Sequence, residues 1–283
     1  MSKRAKVWLV IVLTFVLVGG IFCGVMAMLN WDFAKLSTVK YETNNYTITE
    51  DFSNISVKAR TANIVFAPSV DETASVVCYE NAKIKHNVCI EDGALVITRN
   101  DTRKWYEHIG FDFHHPKITV YLPKGEYGTL SIQTSTGDIG INGISAEALH
   151  LTVSTGDVSV ENTACNGDVG INVSTGKTIL TNVQCGALLS EGDTGNITLT
   201  NVIASGKFDI ERDTGNVKLY NCDAEEIYIE TDTGNITGTL LSEKVFIPRS
   251  KTGDIDVPKT IVGGRCEIET DTGDIKITLS NSK

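Results

Sequence analysis

Thr136-Gly137-Asp138-Ile139 recurs with small changes along the chain, and its glycines fall at Gly137, Gly156, Gly176, Gly195, Gly215, Gly234, Gly253 and Gly273. The successive gaps are 19, 20, 19, 20, 19, 19 and 20 residues. A short motif repeated at near-constant spacing marks one structural unit used eight times, at the period of a solenoid coil.

Around each glycine the apolar residues alternate with period 2, as in Leu149, Leu151 and Val153 before the bend and Val158 and Val160 after it. Each repeat therefore reads as two short strands about a tight turn. Such a unit cannot bury its own apolar face, so neighbours must stack and pair their strands in parallel. The sequence predicts an all-β fold, a parallel β-solenoid (β-helix) of about eight regular coils of 19–20 residues. At one inter-strand spacing per coil the rod is roughly 38 Å long.

The motif itself fits a corner. Glycine takes φ > 0 without steric cost, and the Asp or Asn that follows can bond backbone amides left unpaired by the turn. A second corner is marked six residues after the glycine by Asn162, Asn182, Asn201 and Asn221. Asn tolerates the left-handed conformation, and stacked amides can bond along a rod as a ladder. Charge along the motif stripe is rationed. Coils with Asp138 or Asp157 after the glycine have Ser two residues before it, whereas those with Asn196, Asn216 or Asn235 have Asp193, Asp213 or Asp232 there. One carboxylate per coil limits like-charge contacts between adjacent strands.

Upstream, Lys3, Arg4 and Lys6 precede an uncharged apolar run of 23 residues, Val7 to Leu29, with Trp8 and Trp31 near its ends. At about 1.5 Å per residue this crosses a bilayer core, and the basic flank predicts residues 1–6 inside the cell and the rest outside. The run closes with Met26-Ala-Met-Leu29 rather than small residues, which favours an uncleaved anchor over a signal peptide. The expected organisation is a cytoplasmic N-terminus (1–6), a transmembrane anchor (7–29), a polar spacer (30–45), an irregular β region (46–129) and the regular repeats (130–283). Within the irregular region, Ile55 to Phe66 has the form of a repeat with Ala62 in the glycine position, 75 residues before Gly137, and reads as a degenerate coil. Glu91-Asp92-Gly93 reads as a hairpin turn.

A net charge of −10 and the lack of a basic patch argue against nucleic-acid binding. Asp-Thr-Gly occurs at Asp193, Asp213, Asp232 and Asp271, but these recur at the repeat period rather than as the facing pair an aspartic protease needs. One carboxylate per coil is short of the six to eight oxygens that calcium takes, with Asp254, Asp271 and Asp274 the best exception. No C-x-x-C is present among the seven cysteines. Cys165 and Cys185 should lie one above the other, with either a disulfide or two buried thiols open; Cys78 and Cys89, flanking a hairpin, leave the same choice. No cofactor or resident metal is predicted.

One stretch escapes the repeat. Residues 100–116 hold Trp105, Tyr106, His108, Phe111, Phe113, His114 and His115, and loops carry function more often than scaffolds do. Trp105, Tyr106 and Phe111 are the candidate partner-binding residues, against a reading in which they merely cap the solenoid.

Ile118 to Pro123, then Leu130 to Ile139 and the recurring Thr-Gly-Asp/Asn-Ile, resemble the bacterial candidate-adhesin family of β-strand-repeat proteins of unknown function, which includes LiaG-like envelope-stress proteins. The resemblance covers roughly residues 46–283. It implies a surface solenoid of the cell envelope with no catalytic residues to carry over. The expected function is a non-enzymatic, membrane-anchored extracellular binding or scaffold module whose partner is an envelope protein or cell-wall polymer. A regulatory or sensory subunit of an envelope-stress response is the first alternative, and a polysaccharide-active β-helix enzyme the second.

Overall fold

The structure, a computed structural model, describes residues 2–32, 35, 39–105 and 114–280. It begins with a helix, Lys3–Met28, capped by Ser2, whose Oγ accepts from the Ala5 N–H at 3.2 Å. The cap starts the helix before the apolar run, so the basic residues form its first turn. The helix is long and apolar enough to cross a membrane, and only Met26 within it is buried.

The rest is a parallel β-solenoid. Strands on either side of each glycine pair in register with their counterparts one coil away, for example Leu149↔Val169 before the bend and Val158↔Thr178 after it. Inward residues form continuous columns such as Leu130, Leu149, Val169, Leu188, Phe208 and Ile227, all essentially without exposed surface. Each buried aliphatic side chain contributes about 1.5–3 kcal/mol, and the column exists only while the coils stay stacked.

The glycine corner is tighter than a turn requirement alone demands. Seven of the eight motif glycines donate their N–H to a threonine carbonyl of the neighbouring coil at 2.8–2.9 Å, from Gly137 to Thr155 through Gly273 to Thr252. A Cβ on any of the eight would lie 1.9–2.3 Å from the carbonyl oxygen of the adjacent coil's glycine, or of Ala62 beneath Gly137. Seven of them have φ between 132° and 157°, far from the left-handed helical value of about 57°. Gly234 lies outside the range that excludes side chains, yet its contact with Gly215 is as close as the others. Close approach, more than left-handed φ, is what excludes a side chain. Ala62 stands at the start of the column without a positive φ, and the chain beneath it is Pro116, whose carbonyl accepts from the Asn63 N–H, rather than another glycine corner.

Just inside that corner runs a column of hydroxyls. Thr134, Thr231, Thr270 and Ser250 each donate to the glycine-position carbonyl of an adjacent coil, at 3.0–3.4 Å. Arg212 occupies the same column, in register between Gly192 and Thr231. It is 2% exposed and reaches over Gly192 to Val173 O at 2.9 Å, while its Nε and Nη2 have no partner. Burial pulls its pKa down from the usual value.

Chain order and stacking order part at both ends. The C-terminal strand Gly264–Thr272 pairs with Glu226–Thr233 on one side and Lys244–Thr252 on the other. The Gly273 coil thus sits between those of Gly234 and Gly253, and the rod does not end on its last coil. The outermost strand, Lys244–Thr252, carries Pro248, Arg249 and Lys251, the residue types that blunt an exposed edge. At the other end, strands Asn54–Lys58 and Asn63–Pro68 lie directly beneath the Gly137 coil, with Ala94–Asp101 and Lys117–Leu122 outside them. An antiparallel cap completes that end: Ala74–Asn81 pairs with both Lys117–Leu122 and Tyr41–Ile48, and Ile84–Glu91 pairs with Ala94–Asp101 through a turn at Asp92 (φ 49°) and Gly93 (φ 72°). The first strand begins at Tyr41, inside the stretch read from sequence as spacer, because its half-buried alternation is carried by polar residues.

Two outcomes test this packing. Gly215→Val should lower stability by about 1–3 kcal/mol, and Gly234→Ala should also lower it although φ imposes no penalty there; an unchanged Gly234→Ala melting curve would show that close approach is not the constraint. Arg212→Thr should raise the thermal midpoint, gaining about 1–2 kcal/mol, by restoring the hydroxyl column and removing a buried unpaired cation.

Candidate interaction surfaces

Three surfaces carry the residues singled out by sequence, and two of them are occupied by the scaffold. At the Asn corner, Asn162, Asn182, Asn201 and Asn221 adopt φ of 49–55°. Nδ2 of Asn162, Asn182 and Asn201 donates to Oδ1 one coil below, at 3.0–3.1 Å. The ladder starts on Asn142, which stands five rather than six residues after its glycine and so escapes a fixed-spacing search.

At the glycine corner the residue after the glycine forms a second ladder. Asn63 Oδ1 accepts from the Asp138 N–H, Asp138 from Asp157, Asp157 from Lys177, Asn196 from Asn216, Asn216 from Asn235, Asn235 from Asp274 and Asp274 from Asp254, all at 2.7–3.0 Å. Lys177 has no acceptor to offer Asn196, so the ladder breaks there. This also disposes of the acidic end group: Asp274 accepts from the Asp254 N–H, and Asp271 pairs with Lys251 at 2.6 Å. Asp193, Asp213, Asp232 and Asp271 belong to successive coils of the stack rather than to a facing pair.

The third surface is a basin of about 560 Å³ at the N-terminal cap. Arg60, Arg99, Arg103, His86, His114 and His115 line it, together with Tyr41, Asn63 and Asn81, and no carboxylate does among the described residues. Asp101 pairs with both Arg99 (2.5 Å) and Arg103 (2.8 Å), one carboxylate serving two guanidiniums. The hydrogen bonds from Arg103 hold Asp101 well below the usual carboxylate range. Arg60 is exposed and forms no ion pair among the described residues. His114 stacks on Tyr41 with ring centroids 4.5 Å apart. A chain of net charge −10 thus gathers cations in one place.

Arg103 and His114, which both belong to the predicted insert, line this basin. Trp105 is 81% exposed. Tyr106 and Phe111 lie outside the described residues, as do His108 and Phe113.

Beneath the basin floor, Cys78, Glu80 and His86 form a buried cluster that the sequence reading missed. Cys78 and Glu80 alternate onto the same face of one strand, and His86 arrives from the next strand after the turn at Ala82–Lys83. All seven cysteines are free thiols. Cys165 and Cys185 do stack, between Ala146 and Ala204, but their Sγ atoms turn to backbone carbonyls, Cys165 to Glu147 O at 3.1 Å. Cys78 is buried and Cys89 points to Glu91 on the other side of its strand, which separates that pair as well.

Comparison with known proteins agrees with the architecture. The crystal structure of a candidate adhesin from Bacteroides fragilis NCTC 9343 superposes with a TM-score of 0.53 at 18% identity, covering 85% of this chain and 97% of that one. A candidate adhesin from Parabacteroides merdae ATCC 43184 (TM-score 0.43, 13% identity, 86% and 97% covered) and a candidate lipid-binding protein from Parabacteroides distasonis ATCC 8503 (0.45, 15%, 87% and 98%) are more distant. At these identities the likeness is one of fold. No curated protein matches the chain. The Toastrack DUF4097 family model matches residues 52–283, the whole solenoid with most of its cap, and the chain therefore belongs to the Toastrack DUF4097 family.

Proposed function

We propose that this protein is a non-enzymatic binding module of the bacterial cell envelope, held to the membrane by its N-terminal helix and displayed outside the cell. The observation that carries the reading is the arginine-lined basin, with the exposed Trp105 two residues along the chain from Arg103, on the end of the rod where the chain arrives from the helix. Tyr41, the first residue of the first strand, lines the basin. The segment 29–40 between the helix and Tyr41 reaches at most roughly 40 Å, so the basin stays near the bilayer surface.

Charge supports an anionic partner. With 35 acidic against 25 basic residues, the chain as a whole is repelled by the acidic polymers and headgroups of an envelope, and the arginines of the basin offer such groups a local cationic contact. Arg guanidiniums match carboxylate and phosphate oxygens in pairs, and an exposed indole beside them supplies the apolar anchor that interfaces use. In this reading Trp105, Tyr106 and Phe111 make the contact and the ladders act as a rigid scaffold.

Two measurements test it. A reporter fused after Lys283 should be active outside the cell, with residues 1–29 retained in the mature protein; a soluble form beginning near Asn30 would establish a cleaved signal instead. Replacing Trp105, Tyr106 and Phe111 together by Ser should leave the far-UV strand signature intact and abolish retention on isolated envelope material. A drop in stability with no specific loss of retention would assign those aromatics to capping, and a variant that melts and binds like the parent would move the contact surface to the strand faces.

A further inference from the structure

We propose that Cys78, Glu80 and His86 form a three-ligand site for a divalent transition metal, zinc foremost, built into the floor of the N-terminal cap. The Sγ, carboxylate and imidazole donor atoms all lie within 4.8 Å of one another, and His86 Nδ1 is 2.6 Å from Glu80 Oε2. A point between them is within roughly 2.5 Å of all three, against zinc bond lengths of about 2.0–2.3 Å, so small side-chain adjustments close the site. Thiolate, imidazole and carboxylate are the donors that zinc accepts.

Charge and burial favour the same reading. Cys78 and Glu80 have no exposed surface and His86 is 6% exposed. When a divalent ion enters, the thiol releases its proton to solvent and neutral His86 ligates through the Nδ1 lone pair with its hydrogen on Nε2. Thiolate, carboxylate and neutral imidazole then sum to −2 and cancel the +2 of the ion, leaving a neutral group, which suits a site with so little solvent contact. The Cys78 thiol has no hydrogen-bond partner among the described residues, so no existing bond has to break for its sulfur to turn to the ion.

The surrounding bonds hold the donors in place, as outer-shell partners do at metal centres. Asn44 Nδ2 donates to Glu80 Oε1 at 2.7 Å, and the His86 backbone N–H to Glu80 Oε2 at 2.6 Å. Tyr46 Oη donates to His86 O at 3.3 Å. His86 also lines the basin, which gives an entry path from solvent, and three protein ligands leave a position for water or an anionic group. The competing account is a hydrogen-bonded Glu80–His86 ion pair with Cys78 as a neighbouring apolar side chain, and it predicts no metal chemistry.

The test uses the full chain in detergent, unfolded with a chelator and refolded with Co²⁺ or Zn²⁺. The expected result is one equivalent of metal per chain, a thiolate-to-cobalt charge-transfer band that zinc abolishes, and a higher thermal midpoint with metal than without. Cys78→Ala and His86→Gln should each weaken binding at least about 100-fold, while Cys89→Ala leaves it unchanged. Absence of the charge-transfer band from the refolded parent overturns the proposal whether or not the variants fold. So does a band that survives Cys78→Ala, since it would come from another thiol.

Discussion

Everything regular about this rod depends on how closely two backbones approach at one corner. The motif glycine donates to a carbonyl of the coil above and presents its own carbonyl where a side chain would have to stand. Because the corner is that tight, the coils rise by one strand spacing without slipping, and the apolar columns face one another in register. The ladder at Asp138, Asn196 and Asn235 then satisfies backbone amides that the glycine corner exposes, and the side-chain amides of Asn162, Asn182 and Asn201 bond along the rod at the other corner. They are consequences of the spacing, and their chemistry is spent on the scaffold.

The repeating part was legible in the sequence because each coil repeats the same local problem. Period 2, glycine spacing and the Asn corner are all statements about neighbours a fixed distance apart, and stacking turns them into contacts. Ala62 was placed correctly from the form of its flanking residues alone. The irregular parts were not legible for the converse reason. Intercalation of the Gly273 coil changes no residue in the motif, so nothing local marks it. Tyr41 to Ile48 pairs through its backbone while presenting polar side chains, and leaves no hydrophobic signature.

The candidate site falls on that less legible side. Trp105 was visible as a composition the repeat does not need. The basin was not, because Arg60 lies in a bend after one strand while Arg99 and Arg103 lie in and just beyond another, and only the cap brings them together. Cys78, Glu80 and His86 show no familiar ligand spacing. Two residues apart on a strand and one across a turn is a pattern that many strand pairs satisfy by chance.

The interleaved C-terminus has a consequence for biogenesis. A chain that ends before Gly264 has already made the coils of Gly234 and Gly253, but the strand between them is missing. Both faces of that slot are then open strand edges, the templates on which chains associate and proteases act. Completion of the rod waits on a strand that is synthesised after both of its neighbours. The intercalated coil works as a keystone: chains that carry it close, and chains that stop short of it remain recognisably unfinished to the cell's quality-control machinery.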